Sequence, residues 1–367
     1  MSLKKRLPVL YFTVTTDLSY DQRMIRICTS LASNGYTVVL VGRNQHFSIP
    51  LQLKVYQQKR IHCYSRKGKI FYAEYNFRLF IYLLFKKMDG ICAIDLDTII
   101  PCHFISVIKK IPKVYDAHEL FCEMKEVVRR PGIYKIWKWI EKQTVPYFDN
   151  GYTVNDLIAH EFKKMYGKDY KVIRSIAVYE PFGHIEKEKF ILYQGAVNEG
   201  RSFETLIPAM RNVEATLYIC GDGNFMEEAT KLCIENNVTG KVIFKGMQEP
   251  ADLKKITRLA MIGITFFESS SLSNYYSLAN RFFDYIHAGV PQLCVDYPVY
   301  REINNEYKVA VMLDDLGEQH IANELNKLLN DHEKWQMLHL NCLKASETLN
   351  WQNEEIKLLA FYKNIFG

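Results

Sequence analysis

Residues 9–41 read VLYFTVTTDLSYDQRMIRICTSLASNGYTVVLV. The stretch opens and closes on six-residue apolar runs, Val9–Val14 and Tyr36–Val41. Both have the length and the β-branched and aromatic content of buried strands. Between them Met24, Ile25, Cys28, Leu31 and Ala32 recur at helical spacing. Asp21 stands where it can cap that helix, and Gly35 suits the left-handed position that ends it. Strand, helix and strand in this order predict a right-handed crossover between parallel strands.

The alternation continues outward. KVYDAHEL (Lys113–Leu120) is followed by a helix over Tyr134–Val145, then by GYTV, a helix capped by Asn155 and a strand at Lys171–Arg174. Ser175–Lys189 lacks periodicity and holds Pro181, Gly183 and the run EKEK, the composition of a linker. A second series starts at FILYQG (Phe190–Gly195) and continues through ATLYICG, KVIFKG, MIGITFF and PQLCVD, each followed by a helical pattern. The fold class predicted is α/β, two doubly wound Rossmann-like domains at residues 1–176 and 187–351. Ligands of such sheets sit at the carboxyl ends of the strands, so two facing domains with a cleft between them would hold a ligand there.

The chain of 367 residues matches about two domains of ordinary size. Hydrophobic residues make up 48% and charged residues 24%, which excludes a disordered chain or a fibrous repeat. Nine cysteines without a CxxC, most in apolar runs, read as reduced thiols of a cytoplasmic protein. Residues 1–180 carry 29 Lys and Arg against 16 Asp and Glu, whereas the remainder carries 18 against 25. The basic half predicts an anionic partner such as a lipid surface, and no arginine-rich tail or RNA-binding signature points to nucleic acid. Arg129, Arg130, Lys135, Lys138 and Lys142 accompany Ile133, Ile136, Trp137 and Trp139. A helix of that kind can lie peripherally on an anionic membrane, joined by the short apolar segment Phe77–Phe85; packing of both onto the sheet explains them equally well.

The motifs with chemical content fall at strand ends. Ser269–Pro291 (SSSLSNYYSLANRFFDYIHAGVP) passes from a polar loop into a helix whose N-terminus near Ser277–Asn280 suits an anion, with Arg281 in the first turn and Asp284 one turn beyond Asn280. An amphipathic helix with solvated Arg and Asp is the plainer reading. Tyr193–Phe203 (YQGAVNEGRSF) places Gly195 and Arg201 on a strand-to-helix loop, where glycine lets backbone approach a ligand and the guanidinium can bridge phosphate oxygens. Gly221 and Gly246 end two further strands; Gly221-Asp222-Gly223 begins a dinucleotide fingerprint but has Met226 in place of its third glycine. In the first half, Thr15–Arg26 can bind an anion through Arg23 and Arg26, or Asp21 can simply cap the helix. His118-Glu119 follows a strand.

Together TTDLSYDQRMIRICTSLASNGYTVVLVGR, YDAHE, YQGAVNEGRSFETL and LANRFFDYIHAGVP resemble the retaining family 4 glycosyltransferases of the GT-B fold, over nearly the whole chain. The resemblance implies a nucleoside-diphosphate sugar, of UDP or GDP type, held by the second domain, and a glycan or lipid-linked acceptor held by the first. It implies transfer with retention, no metal and no cofactor, in cell-surface polysaccharide biosynthesis. Carried over by position, Gly195, Asn198, Arg201, Gly221, Gly246, Ser277, Leu278, Asn280, Arg281 and Asp284 are expected on the donor, with His118, Arg201 and Asn280 catalytic. Asp17, Asp21, Arg23 and Glu119 are expected on the acceptor, and residues 352–367 are expected to cross back onto the first domain. The family's paired glutamates, eight apart, read Tyr276 and Asp284 here. Asp95 and Asp97 (AIDLD) superficially suggest a metal motif, but they fall in the first domain, away from the expected diphosphate site. A sugar-nucleotide epimerase on the same fold and a non-catalytic nucleotide- or glycan-binding subunit are the alternatives. A dehydrogenase is disfavoured by the incomplete glycine fingerprint.

Overall fold

The structure, a computed structural model, describes residues 6–46 and 48–367. It divides into two compact units, one ending at Ser175 and completed by Trp351–Gly367, the other Ile176–Asn350.

The first unit contains β1 (Val9–Thr13), α1 (Gln22–Ser33), β2 (Thr37–Asn44), β3 (Gln57–His62), α2 (Gly68–Leu84), β4 (Gly90–Ile94), α3 (Ile99–Lys109), β5 (Lys113–Ala117), α4 (Lys125–Val128), α5 (Pro131–Thr144), β6 (Asn150–Thr153), α6 (Asp156–Tyr166) and β7 (Lys171–Val172). Its seven strands are all parallel, in the order β3-β2-β1-β4-β5-β6-β7. Asp21 caps α1 by accepting from Met24 N at 3.0 Å, and Asn155 caps α6 by accepting from Ile158 N at 2.9 Å. Successive strand side chains point to opposite faces. Tyr11 meets Tyr82 of α2, whereas Phe12 meets Tyr362 near the chain's end. One face of the sheet therefore carries the layer α2, α3 and α5.

The second unit contains β8 (Glu188–Gln194), α7 (Phe203–Ala209), β9 (Thr216–Cys220), α8 (Met226–Glu235), β10 (Val242–Gly246), α9 (Pro250–Leu259), β11 (Ala260–Thr265), α10 (Leu272–Tyr275), α11 (Asn280–His287), β12 (Gln292–Val295), α12 (Pro298–Tyr307), β13 (Ala310–Leu313), α13 (Glu318–Asn330) and α14 (His332–Ser346). Its six strands are parallel in the order β10-β9-β8-β11-β12-β13. The last helix, α15 (Trp351–Phe366), belongs to the first unit. Its Trp351 Nε1 donates to Ser30 Oγ at 2.9 Å, and Glu354 accepts from Arg174 N at 2.9 Å. With α1 it covers the face of the first sheet opposite α2, α3 and α5.

Several details differ from the sequence reading. The strand expected at Lys171–Arg174 pairs only over Lys171–Val172. The helix expected from Tyr134 begins a turn earlier, at Pro131, whose fixed backbone suits a first helical turn. Within it Trp137 turns inward onto Tyr72 and Phe121, and Lys138 pairs with Glu141 at 2.7 Å and Glu123 at 3.2 Å. All nine cysteines are free thiols, eight of them buried. Among the described residues no helix is long and apolar enough to cross a membrane.

Candidate functional site

Each sheet reverses its strand order once, between β1 and β4 in the first unit and between β8 and β11 in the second. A crevice at such a switch point, outside the carboxyl ends of the strands, is where open parallel sheets bind ligands.

In the second unit three successive strands end on glycine. Gly195, Gly221 and Gly246 all take positive φ, 121°, 150° and 65°. Gly195 N donates to Cys220 O and Gly221 N to Gly246 O, both at 2.9 Å. A Cβ on Gly221 would lie 1.9 Å from Gly195 O, so the loops meet backbone to backbone with no room for a side chain. Asn198 fastens the same loops: its Oδ1 accepts from Asn224 N at 3.1 Å. Ser202, a non-glycine residue at φ 58°, ends the loop after β8, and Glu268 N beyond β11 donates to Gly200 O at 3.0 Å. Backbone strain of this kind is typical of ligand-binding loops.

Two guanidinium groups gather at this switch point. The Cζ atoms of Arg201 and Arg281 each lie 4.4 Å from the ring centroid of Phe267, the second residue past β11. Arg201 Nη1 donates to Asn274 Oδ1 at 3.1 Å. Arg281 is buried, stacks on Tyr193 at 4.7 Å and donates through Nη2 to Phe266 O at 3.1 Å. It occupies the first turn of α11, where a cation opposes the helix dipole. A bound anion at this helix start would interact favourably with the dipole and with both guanidinium groups. Around the same helix start, Ala279 N donates to Tyr300 Oη at 3.0 Å, Ser277 Oγ donates to Asn274 O at 2.8 Å and Leu278 is buried. Asn280 opens α11. Asp284 Oδ2 accepts from Gln194 Nε2 at 2.9 Å, which fixes its carboxylate against the last residue of β8. Tyr276, at the end of α10, is half-buried.

The switch point of the first unit is built from acids. His118 follows β5, and its N–H donates to Asp95 Oδ1 at 2.9 Å. Its Nδ1 lies 3.3 Å from Asp95 Oδ2 and its Nε2 3.3 Å from Asp116 Oδ2. Asp116 is in turn held by Arg23 through two hydrogen bonds, at 2.8 and 3.2 Å. Burial pushes the His118 imidazole down, but Asp95 and Asp116 outweigh it and raise its pKa to about 9. Burial likewise pushes Asp116 up, and Arg23 with His118 overcomes it to leave the carboxyl at about 2. Asp95 rises to about 7 and Asp97 to about 6, chiefly through desolvation at their half-buried positions. Asp95 adopts φ 53°, unusual for a residue other than glycine, and Asp97 accepts from Thr15 Oγ1 across the switch point. The carboxylates thus favour the charged imidazole of His118, and desolvation favours the neutral forms of Asp95 and Asp97.

Comparison with known proteins decides the reading of the second unit. Residues 178–341 match the family described as glycosyl transferases group 1. The match spans most of the second unit. Solved structures resemble the chain over its full length. WaaG, a glycosyltransferase involved in lipopolysaccharide biosynthesis, superposes with a TM-score of 0.75 at 15% identity, covering 98% of this chain and 100% of its own. Sucrose-phosphate synthase from Thermosynechococcus elongatus does so with a TM-score of 0.79 at 14% identity, covering 98% and 99%. HepE of Anabaena, solved in complex with UDP and glucose, gives 0.71 at 11% identity, covering 96% and 99%. No curated protein matches the sequence. The fold of the chain is GT-B, and its two parallel sheets are the two Rossmann-like units of that fold.

Within the second unit, the residues expected on the donor lie on the loops after β8, β9 and β10, before α11 and within it. The structure adds Phe267 and Tyr193, the rings on which the arginines stack. Nothing in the sequence marks these two aromatic residues among so many. In the first unit the residues expected on the acceptor have partners within the unit. Asp17 is only 4% exposed, and its carboxylate is taken up by Arg60 at 2.8 Å, Ser19 N at 2.8 Å and Ser48. Asp21 is occupied by capping and by Thr16 at 2.7 Å. Arg23 is buried beneath Asp116 and Ile173 O. Asp17 and Arg23 are thus buried on internal partners, Arg23 behind the Asp116 that faces His118, whereas Asp21 stays half-buried at the start of α1. Glu119 is half-buried and close enough to raise the pKa of both Asp95 and Asp97. Asp95, Asp97 and Asp116 were not among the residues expected in the site. Their signal was present: the pair AIDLD ends one strand beside the strand that ends in DAHE.

Proposed function

We propose that the protein transfers a hexosyl unit from a nucleoside-diphosphate sugar of UDP or GDP type to a glycan or lipid-linked acceptor, with retention, in cell-surface polysaccharide biosynthesis on the cytoplasmic side of a membrane. The observation that carries the donor side is the pair of guanidinium groups on Phe267 beside three strand-end glycines. Two planar forks and the amides of a helix start suit a diphosphate and supply, without a metal, the charge stabilisation that a departing nucleoside diphosphate requires. Asp284, fixed by Gln194, is suited to accept hydrogen bonds from a ribose diol. Retention fits a same-face displacement: the bond from the anomeric carbon to the diphosphate oxygen breaks, the acceptor oxygen bonds to the same face, and its proton passes to the departing phosphate. His118, kept charged by Asp95 and Asp116, is assigned the catalytic imidazole of the first unit.

The structural neighbours support this reading through what they bind or make: HepE was solved with UDP-glucose, and WaaG acts in lipopolysaccharide biosynthesis. Thermal unfolding with UDP, GDP, ADP, CMP and NAD tests it. One nucleoside diphosphate at 100 times its dissociation constant should stabilise by about 2.7 kcal/mol, a shift of a few degrees. The shift should vanish in Arg201→Ala. A response to NAD alone would replace the donor reading with a redox one.

A further inference from the structure

The helical layer α2, α3 and α5 is apolar on its outer surface as well as its inner one. In α2 the inner face buries Phe71, Tyr75, Leu79 and Leu83. The outer face then repeats the pattern at i, i+4 with Phe77, Ile81 and Phe85, of which Phe77 is 67% and Phe85 79% exposed. The neighbouring α3 exposes Phe104 and Ile108, and α5 exposes Ile136 and Trp139. A helix that is hydrophobic all round normally has a partner on both sides. The opposite layer is different: among the described residues of α1 and α15, Ile356 is the one large apolar side chain exposed.

Between α2 and α3 lies an open groove of about 260 Å³. Phe77 and Phe80 line it from α2, and Ile100, Pro101, Phe104 and Ile108 from α3. The groove is open to solvent, and its apolar walls, with Asn76 at one edge, suit a hydrocarbon occupant. Charge surrounds this surface. Residues 68–87 and 99–110 carry six Lys and Arg against one acid, Glu74, which is engaged by Arg78 at 2.8 Å. Lys86, Lys87, Lys109 and Lys110 gather where the two helices end, since Lys109 Nζ donates to Leu84 O at 2.8 Å.

We infer that this layer is a membrane face, seated on the anionic leaflet of a bilayer with a lipid hydrocarbon chain in the α2–α3 groove and the lysine rim at the headgroups. The apolar stripe supplies the buried area and the lysines the attraction to anionic lipid, the two contributions that hold a protein on a bilayer surface without spanning it. The sequence-level candidate was α5 with its lysines. The structure moves the centre of the face to α2 and α3. The inference deepens the lipid-linked acceptor reading and is independent of the donor chemistry.

The experiment is co-sedimentation of the full chain with vesicles of phosphatidylcholine, alone or mixed with phosphatidylglycerol, at low and high salt. The wild type should sediment with the mixed vesicles, less at high salt and much less with phosphatidylcholine alone. Phe77→Asp with Phe104→Asp should weaken binding at least about tenfold, because both side chains leave the apolar phase. Ile356→Asp, on the opposite layer, should leave it unchanged. Both positions of the double variant are exposed, and an unaltered nucleotide-induced thermal shift would show the fold intact. Equal binding by the double variant, equal binding to phosphatidylcholine alone, or no binding by the wild type overturns the inference. So does a concentration-dependent dimer that the double variant abolishes, since the face would then belong to a second copy. Failure of the donor reading would appear separately, as the absence of any nucleotide shift in the wild type.

Discussion

The two switch points share a strand order and differ in everything placed on it. In the second unit the loops are glycine and arginine; in the first they are aspartate around one histidine. The overall charge runs the other way, since the basic half of the chain holds the acidic site and the acidic half holds the basic one. Net charge therefore speaks of surfaces, such as the lysine rim of α2 and α3, and misleads about sites. The charges also differ in what they hold. Arg23 is a buried cation paired with Asp116, whereas Arg201 and Arg281 share the ring of Phe267 at the strand ends.

The sharpest test of that contrast is Arg23→Ala. It leaves Asp116 buried without its partner and should destabilise the protein by about 3–5 kcal/mol in denaturant unfolding. Arg201→Ala should cost about 1 kcal/mol or less in stability while removing the nucleotide response. Comparable stability losses in the two variants would erase the distinction. Next in size is Gly221→Ala, whose Cβ has no space beside Gly195 O and whose φ of 150° a side chain rarely adopts. A loss of about 2 kcal/mol, together with the nucleotide shift, is expected by thermal unfolding. Phe267→Leu keeps an apolar side chain but removes the ring that both guanidinium groups share. Nucleotide affinity should fall about tenfold by calorimetry, with stability changed little.

The smallest expected effect is on pH dependence. His118 has a folded pKa raised to about 9, so its contribution is complete below its unfolded value of about 6.5 and is lost as pH rises through 9. Relative to His118→Gln, the wild type should lose on the order of 1 kcal/mol over that window, moderated by the titration of neighbouring Asp95. A parallel pH course for the two proteins would show that the imidazole is not held charged.

The sequence carried the β-α-β rhythm because most strands are buried on both faces and read as continuous apolar runs. The edge strand β3 was hidden for the same reason. It reads QQKRIH, with mostly half-buried or exposed side chains, and only its pairing with β2 defines it. The glycines and arginines of the donor loops were legible because backbone approach and phosphate chemistry restrict the choice of residue. Phe267 and Tyr193 were not, since a stacking ring looks like any core ring until the cation beside it is placed. Asp17 and Arg23 were assigned outward because their partners, Arg60 and Asp116, lie 43 and 93 residues away.

The position of α15 has a consequence for how the molecule is made. The first unit's core is closed by Trp351 against Ser30, by Glu354 on Arg174 and by Tyr362 beside Tyr152. Those residues leave the ribosome only after the whole second unit. Residues up to Ser175 must therefore wait unfinished, with the α1 side of their sheet uncovered, while the later unit has all its strands and can fold first. The half synthesised first is the half completed last.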